Sequence, residues 1–535
     1  MGEVQQRLLG ALAAAVLAAL PASARKFYAD DPIQKEPKPV RVEKAHFRKL
    51  SDYFDFFLNT FSQPGEEQTR RRLIPAQGVN TLGEVPDGAW YVNRHGRTPM
   101  SMEELVRGPE TGNPPSMAGP WTVRTVKTEG ITPGLTIRDA RGKKYWLKFD
   151  PLTNPGMATT ADVIGTTFFH ALGYHVPEYY LVRFDRRQLL ITEKSVIADA
   201  MGKERRLAGR DVDEVLLDVP RDKDNKYLAV ASLAVPGEGL GQFRYYGTRS
   251  DDPNDVVPHE HRRDLRGLFV FCAWLGHKDS KSLNTYDSLV EEAGVRYIKH
   301  YLMDFGSILG SAAVRPTSPR EGNEHLFAVR PAVIQFVSLG LYAPRWARAH
   351  FPHLPAVGRF EYEVFEPEKY KTNYPNPGFE NRLPDDTFWA ARQVMMFSAE
   401  QIRAIVKKGE FSDPKAGDWL ATCLIKRRDK IGRAYFAKVL PLDRIQVRDG
   451  RLEFEDLAVK YEFHPPRQYS IQWSQFDNEA ESRTPIPGQT GLAVPPETGE
   501  YFAAEVRAED PKKTVIAYFR RKDGRIELAG LDRTW

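Results

Sequence analysis

Cysteine is nearly absent from this sequence: Cys272 and Cys423 are the two in 535 residues. So few thiols exclude a disulfide framework. The two either pair in an oxidising compartment or stay as buried free thiols, since both lie in apolar helical patterns. Charge of one sign is also scarce, with 76 basic against 71 acidic residues and a net charge of +5. No long basic stripe occurs. Arg70-Arg71-Arg72 and Lys426-Arg427-Arg428 are short clusters that read as solvated faces, so no nucleic acid partner is expected. There is no Gly-x-x-x-x-Gly-Lys-Ser/Thr phosphate loop, no Gly-x-Ser-x-Gly nucleophile elbow, no His-Glu-x-x-His helix and no internal repeat. His259-Glu260-His261 is compact, but at a helix start it reads as solvated rather than as a metal site.

A hydrophobic share of 41% and a charged share of 27% are ordinary for a globular chain, and the length suits several domains. Near the N-terminus, Arg7 precedes an apolar run from Leu8 to Leu20, followed by Pro21-Ala22-Ser23-Ala24. This reads as a signal peptide over residues 1–24, cleaved after Ala24, which would place the chain in the periplasm or outside the cell. The alternative is an uncleaved anchor, although the run falls short of the roughly 20 apolar residues a membrane span needs. No Cys follows the run to take a lipid, and no later run is long enough to cross a bilayer. No integral membrane segment is therefore expected after cleavage.

Residues 25–118 are Pro-rich and irregular, with an aromatic helical stretch near Phe47–Phe61, and read as an arm. The Gly- and Pro-rich segment Gly108–Pro120 marks a boundary. Strands are predicted at Trp121–Lys127, Leu135–Ile137 and Tyr145–Phe149, a helix at Thr159–Leu172, and further strands at Tyr179–Phe184 and Leu189–Thr192. Residues 195–258 look charged and loop-rich. A helix from Glu260 to Leu275 runs into Gly276-His277-Lys278-Asp279, and a hairpin over Thr285–Met303 ends in Asp304-Phe305-Gly306. The stretch 330–440 reads as mainly helical, and 441–535 as a small β module with a turn at Lys522-Asp523-Gly524. The fold class expected is α+β.

The informative unit is helix, Asp279, Asn284, hairpin, Asp304. Phosphoryl transfer needs little covalent help from protein, but it needs positioned charge. Mg²⁺ takes oxygen ligands, which Asn284 and Asp304 supply. A second carboxylate must face the incoming hydroxyl, and Asp279, five residues before Asn284, can share a loop with it. Lys148, on an upstream strand, would neutralise phosphates. Each residue also has a plainer reading: Lys148 as a solvated edge charge, Asp162 as a surface helix residue, Asn284 as a local cap, and Asp304-Phe305-Gly306 as a turn. His277 reads as a brace for the loop rather than a base.

His277-x-Asp279-x4-Asn284 followed by Asp304-Phe305-Gly306 resembles the catalytic and metal loops of protein kinases. Trp274-Leu275-Gly276-His277-Lys278-Asp279 through Asn284, then Met303-Asp304-Phe305-Gly306, is more similar to phosphatidylinositol-kinase-like and HipA-type kinases. In those families a Gly-x-x-Asp stretch precedes the Asn at the same offset. The resemblance covers about residues 121–440. It implies a bilobal kinase-like fold, with a β-rich N-lobe over 119–194 and a helical C-lobe over 195–440 carrying an insertion near 195–258. It implies ATP with Mg²⁺ or Mn²⁺, metal ligands Asn284 and Asp304, the acceptor-facing Asp279, and a nucleotide site with Lys148. The lid would be Glu129–Gly134, with Gly130 and Gly134 its two glycines.

The sequence departs from the families in several places. There is no Gly-x-Gly-x-x-Gly, and no Ala-Pro-Glu after Asp304. The helix after Lys148 lacks the expected Glu, leaving the shorter Asp162 as the nearest acidic partner for the lysine. Two functions follow as expectations. One is an exported kinase acting on a hydroxyl of a protein, glycan or lipid acceptor. The other is a catalytically inactive kinase-like binding or scaffold protein.

Overall fold

Alternation of apolar and polar residues from Trp121 onward builds a seven-stranded sheet in the computed structural model, which describes residues 25–69, 71–127, 134–198, 204–339, 341–496 and 498–535. The predicted signal peptide, residues 1–24, and Gly130 of the predicted lid lie outside the described residues. The described chain is a mixed α+β structure that divides into two units. The larger comprises residues 34–79 and 85–438. The smaller comprises described residues 25–33, 80–84 and 439–535.

In the larger unit two helices, α1 (Asp52–Phe61) and α2 (Met102–Arg107), precede the sheet. Its strands are β1 (Trp121–Lys127), β2 (Gly134–Arg138), β3 (Lys144–Lys148), β4 (Tyr179–Phe184), β5 (Leu189–Ala198), β6 (Glu204–Arg206) and β7 (Tyr227–Leu233). Their spatial order is β4-β7-β3-β2-β1-β5-β6, antiparallel except where β1 meets β5. In β3, Tyr145 and Leu147 are buried while Lys144, Trp146 and Lys148 turn to the other face, as the period of two requires. Tyr145 and Leu147 share a core with Trp121, Ile137 and Phe184.

Helix α3 (Met157–Ala171) connects β3 to β4 and packs on β4 and β7. Gly156 at its start carries no capping side chain, and Asp150 substitutes. The Asp150 carboxylate accepts from the N–H groups of Gly156, Ala158 and Thr159 at 2.8, 2.7 and 2.9 Å. These are first-turn donors that the helix itself leaves without partners.

The stretch read as loop-rich contains β6, helix α4 (Gly209–Leu217) and β7. The four charged residues of α4 equal its apolar ones in number, and they masked the i, i+4 pair Val212 and Leu216 that joins the core of the sheet.

A three-stranded sheet follows from β8 (Glu238–Gly241), β9 (Thr285–Glu292) and β10 (Val295–Leu302). Between β8 and β9 runs α5 (Arg263–Leu275), every residue of which is buried. Beyond β10 come α6 (Val329–Val337), α7 (Pro377–Glu380), α8 (Pro384–Met396), α9 (Ala399–Lys407) and α10 (Pro414–Phe436). Helices α5, α8 and α10 pack on one another, and the Trp274 indole N–H donates to the Leu424 carbonyl at 2.9 Å. Residues 341–376 are mostly irregular rather than helical, and Pro344, Pro352, Pro355 and Pro367 account for much of that. Cys272 and Cys423 are free and buried, on α5 and α10.

The smaller unit has a hairpin, β11 (Leu442–Arg448) with β12 (Arg451–Asp456), and a short helix α11 (Leu457–Lys460). A five-stranded antiparallel sheet has the order β14-β13-β15-β16-β17, from β13 (Ser470–Asp477), β14 (Ser482–Thr490), β15 (Tyr501–Arg507), β16 (Thr514–Lys522) and β17 (Arg525–Arg533). Trp473, Phe502, Val515 and Phe519 form its core. Phe27 joins a second cluster with Phe476 and Tyr518. Among the described residues, no helix is long and apolar enough to cross a membrane.

Candidate functional site

Gly276 ends α5 in the left-handed region at φ 70°, where a side chain would be strained. The chain then turns through His277, Lys278 and Asp279 into a 3-10 turn at Ser282–Asn284. Two anchors hold this loop. The buried Lys278 ammonium bonds to the Ser311 carbonyl at 3.1 Å and to Glu321 at 3.0 Å. The His277 ring packs edge-on to Phe169 and tilts against Phe305, with centroids 5.8 and 6.0 Å away. Burial lowers the His277 pKa to about 4, the Lys278 charge adds to this, and Asp304 opposes it. The imidazole is therefore neutral at neutral pH. Its ring holds its place by aromatic packing rather than by the hydrogen bonds that a loop brace was expected to make, and its buried Nδ1 has no hydrogen-bond partner among the described residues.

Asn284 and Asp279 form one constellation. The Asn284 amide N–H₂ donates to the Asp279 carbonyl at 2.7 Å and to its Oδ2 at 3.0 Å. That fixes the amide orientation and leaves its oxygen to face elsewhere. Asp279 Oδ1 accepts from Asn373 Nδ2 at 3.0 Å and pairs with Lys281 at 3.3 Å. Burial raises the Asp279 pKa, Lys281 and Asn284 restrain the rise, and the nearby Asp304 charge adds to it.

The β9–β10 hairpin brings the next residue in. Leu302 pairs with Thr285, and the Met303 N–H donates to the Asn284 carbonyl at 2.9 Å. Asp304 follows directly at φ 60°, a left-handed conformation that costs a non-glycine residue about 1–3 kcal/mol. Several contacts hold it there. Its N–H donates to the Tyr179 hydroxyl at 3.2 Å, the Phe305 N–H donates to Asp162 Oδ1 at 2.9 Å, and the Phe305 ring stacks on Phe169 at 4.8 Å.

Lys148 arrives from β3. Its ammonium lies 2.8 Å from Asp304 Oδ1 and 3.3 Å from Asp162 Oδ2, and 5.5 Å from the centre of the Tyr179 ring. Burial alone would lower the lysine pKa. The carboxylates of Asp162 and Asp304 outweigh burial and hold it well above its ordinary value. Asp162 is buried on α3, and desolvation pushes its carboxyl up to about 7 against the pull of Lys148. Asp304 is different, with a side chain that stays 47% exposed. Gly134 pairs across the sheet with Lys148, so that glycine lies beside the lysine.

The structure thus brings together Lys148, Asp162 and Asp304, and joins Asn284 both to Asp279 and to the strand leading into Asp304. Sequence reasoning missed Lys281, Asn373 and Tyr179. Lys281 was within reach, two residues after Asp279 on the same loop. Asn373 had no local signal, because it enters from an irregular segment 94 residues away. His259 and His261 are buried rather than solvated. His259 Nε2 lies 2.8 Å from Asp255, and His261 Nε2 lies 3.3 Å from Glu66. Among the described residues, no cluster of three or more His, Cys, Asp or Glu could hold a metal.

No protein-family model matches the chain, and no curated protein matches it. Among solved structures, it is similar to the crystal structure of a Helicobacter pylori proinflammatory kinase, CtkA. The identity is 13% and the TM-score 0.30, with 58% of this chain and 95% of that one covered.

Proposed function

We propose that this chain is an exported, kinase-like phosphotransferase that moves the γ-phosphoryl group of ATP to a hydroxyl acceptor with the help of Mg²⁺ or Mn²⁺. The observation that carries this reading is the ion pair between Lys148 and Asp304. It joins residues 156 apart in sequence, at the mouth of the loop that holds Asp279 and Asn284. The antiparallel run β4-β7-β3-β2-β1, with α3 between β3 and β4, suits the β-rich lobe that a bilobal fold requires. The apolar run Leu8–Leu20 supports export.

The residues present fit a hard divalent cation. Asp304 offers a half-exposed carboxylate and Asn284 an amide oxygen whose orientation is fixed, which suits an ion that takes its remaining ligands from phosphate and water. When bound, such an ion would neutralise charge on the phosphate oxygens. Lys148 would add its positive charge toward those oxygens, and Gly134, its neighbour across the sheet, would present no side chain there. Asp279 would orient the acceptor hydroxyl. As the hydroxyl oxygen bonds to the γ-phosphorus, the bond to the bridging oxygen breaks, its electron pair leaves with ADP, and the proton passes to Asp279. Its raised proton affinity suits that role.

A thermal-shift titration with ATP and Mg²⁺ or Mn²⁺ tests this. At a hundredfold excess over Kd the native state should gain about 2.7 kcal/mol. The gain should vanish in Asp304→Ala, and labelled phosphate should leave ATP in wild type. Absence of both shift and turnover with either metal would sink the proposal.

A second reading, a binding or scaffold protein without turnover, is favoured by how the charges are satisfied. The Lys148 ammonium already holds two carboxylates, and both oxygens of Asp279 are engaged. A shift with ATP but no phosphate transfer to any hydroxyl would select it.

A further inference from the structure

Lys426-Arg427-Arg428 reads from sequence as a solvated cluster, yet its middle residue is buried. Arg427, on α10, is 6% exposed, and its guanidinium lies 3.8 Å from the centre of the Phe365 ring and 4.4 Å from that of Phe360. An arginine keeps its charge even when buried, and a buried charge is costly unless an opposite charge and hydrogen bonds satisfy it. Among the described residues, the Arg427 Nε has no hydrogen-bond partner and no carboxylate forms an ion pair with the side chain. Tyr370 is in a similar position: it is 4% exposed, and its buried hydroxyl has no partner among the described residues.

Both residues line one cavity of about 60 Å³, together with Gly276, Lys278 and Glu361. A single water needs about 10–15 Å³ of such space, so a phosphate-sized oxyanion fits. Asn323 and Arg359 line it too and are exposed, so the cavity reaches the surface.

The carboxylates around this cavity are committed elsewhere. Glu321 pairs with Lys278 at 3.0 Å and with Arg315 at 2.9 Å, Glu366 pairs with Lys369 at 2.6 Å, and Glu361 accepts from the Val364 N–H at 2.8 Å. Lys278 is thereby neutralised and Arg427 is not, because Glu361 acts on it only from beyond ion-pair range. Gly276 leaves one edge of the guanidinium uncovered: a Cβ there would lie 3.6 Å from Arg427 Nη1. Burial holds the Tyr370 pKa well above its ordinary value, so the hydroxyl keeps its proton and can donate. A charged fork of donors beside a second donor calls for an acceptor that carries negative charge.

We propose that this cavity is an anion site, in which a phosphate-sized oxyanion accepts from the Arg427 guanidinium and the Tyr370 hydroxyl. The proposal does not rest on phosphoryl transfer. Gly276 and Lys278 line the cavity and lead directly into Asp279, so an ion bound there would steady that loop.

The test is the melting temperature of the full chain in inorganic phosphate or sulfate, against chloride at equal ionic strength, beside Arg427→Met. Wild type should melt at rising temperature as phosphate or sulfate replaces chloride, and the variant should not. No rise in wild type would mean that water fills the cavity, and would overturn the proposal. An equal rise in Arg427→Met would place the ion elsewhere, beside Lys148 for instance, and would overturn it too. Tyr370→Phe removes one oxygen and keeps the ring, so it reads the site even where Arg427→Met does not fold. In titration calorimetry its affinity for phosphate should fall about threefold or more, the loss of one hydrogen bond to a charged group. An affinity equal to that of wild type would overturn the assignment.

Discussion

Lys148 satisfies two carboxylates at once, and its removal should show that. Lys148→Met leaves Asp162 buried beside Asp304 with no cation between them. Breaking a buried pair from one side costs about 3–5 kcal/mol when the remaining group stays charged. Asp162 can take a proton instead, so a loss of about 1–3 kcal/mol at pH 8, shrinking by pH 6, is expected in urea denaturation. Adding Asp162→Asn should recover most of it. If the double variant is no more stable than the single, the pairing does not govern stability.

His277 supplies a pH test. Its folded pKa, about 4, lies below the ordinary histidine value of 6.5. As pH falls below 6.5 the unfolded chain takes a proton that the folded chain refuses, so this residue's contribution is lost between 6.5 and 4. Each pH unit in that window is worth about 1.4 kcal/mol. The stability gap between wild type and His277→Gln should therefore narrow by about 2 kcal/mol between pH 7 and pH 5. A gap that stays constant would mean that the ring is not held neutral by burial.

Among the elements, α3 determines where Asp304-Phe305-Gly306 can lie. A Cβ on Gly165 would meet Ile308 Cδ1 at 2.4 Å and Phe305 Cβ at 2.7 Å. Gly165→Ala should cost about 1–3 kcal/mol through overpacking, despite alanine's better helix propensity. Because Phe305 would be displaced, ATP-induced stabilisation should weaken as well. A variant as stable as wild type would show that the helix can shift without strain.

Legibility in the sequence followed the same division. Strands β1 to β4, helices α3 and α5 and the β9–β10 hairpin could be read because apolar residues recur at strand or helix period. Helix α4 and strand β6 could not, because their charged residues outnumber the few apolar ones that pack. Within the candidate site, Asp279, Asn284 and Asp304 were visible through spacing across one loop and one hairpin. Pairing of Lys148 with Asp162 looked strained because Asp is shorter than Glu. The observed 3.3 Å separation is reached because Asp162 is fully buried on α3, on the face turned to β3. The parallel pairing of β1 with β5 left no local trace, since register between distant strands is set by tertiary packing.

At the scale of the molecule, two units with their own cores should not melt as one. Calorimetry should resolve two transitions, and ATP with Mg²⁺ should move only the one belonging to residues 34–79 and 85–438. A single transition, shifted as a whole, would show that the units are energetically inseparable.

The smaller unit also sets a timetable for biosynthesis. The backbone N–H of Phe27 donates to the Asn478 side chain, 451 residues further along. At ordinary translation speeds that partner leaves the ribosome roughly 20–90 s later. Until then Phe27 has no core to enter. It must be kept from sticking elsewhere, so holdase chaperones have a long window in which to act on this protein.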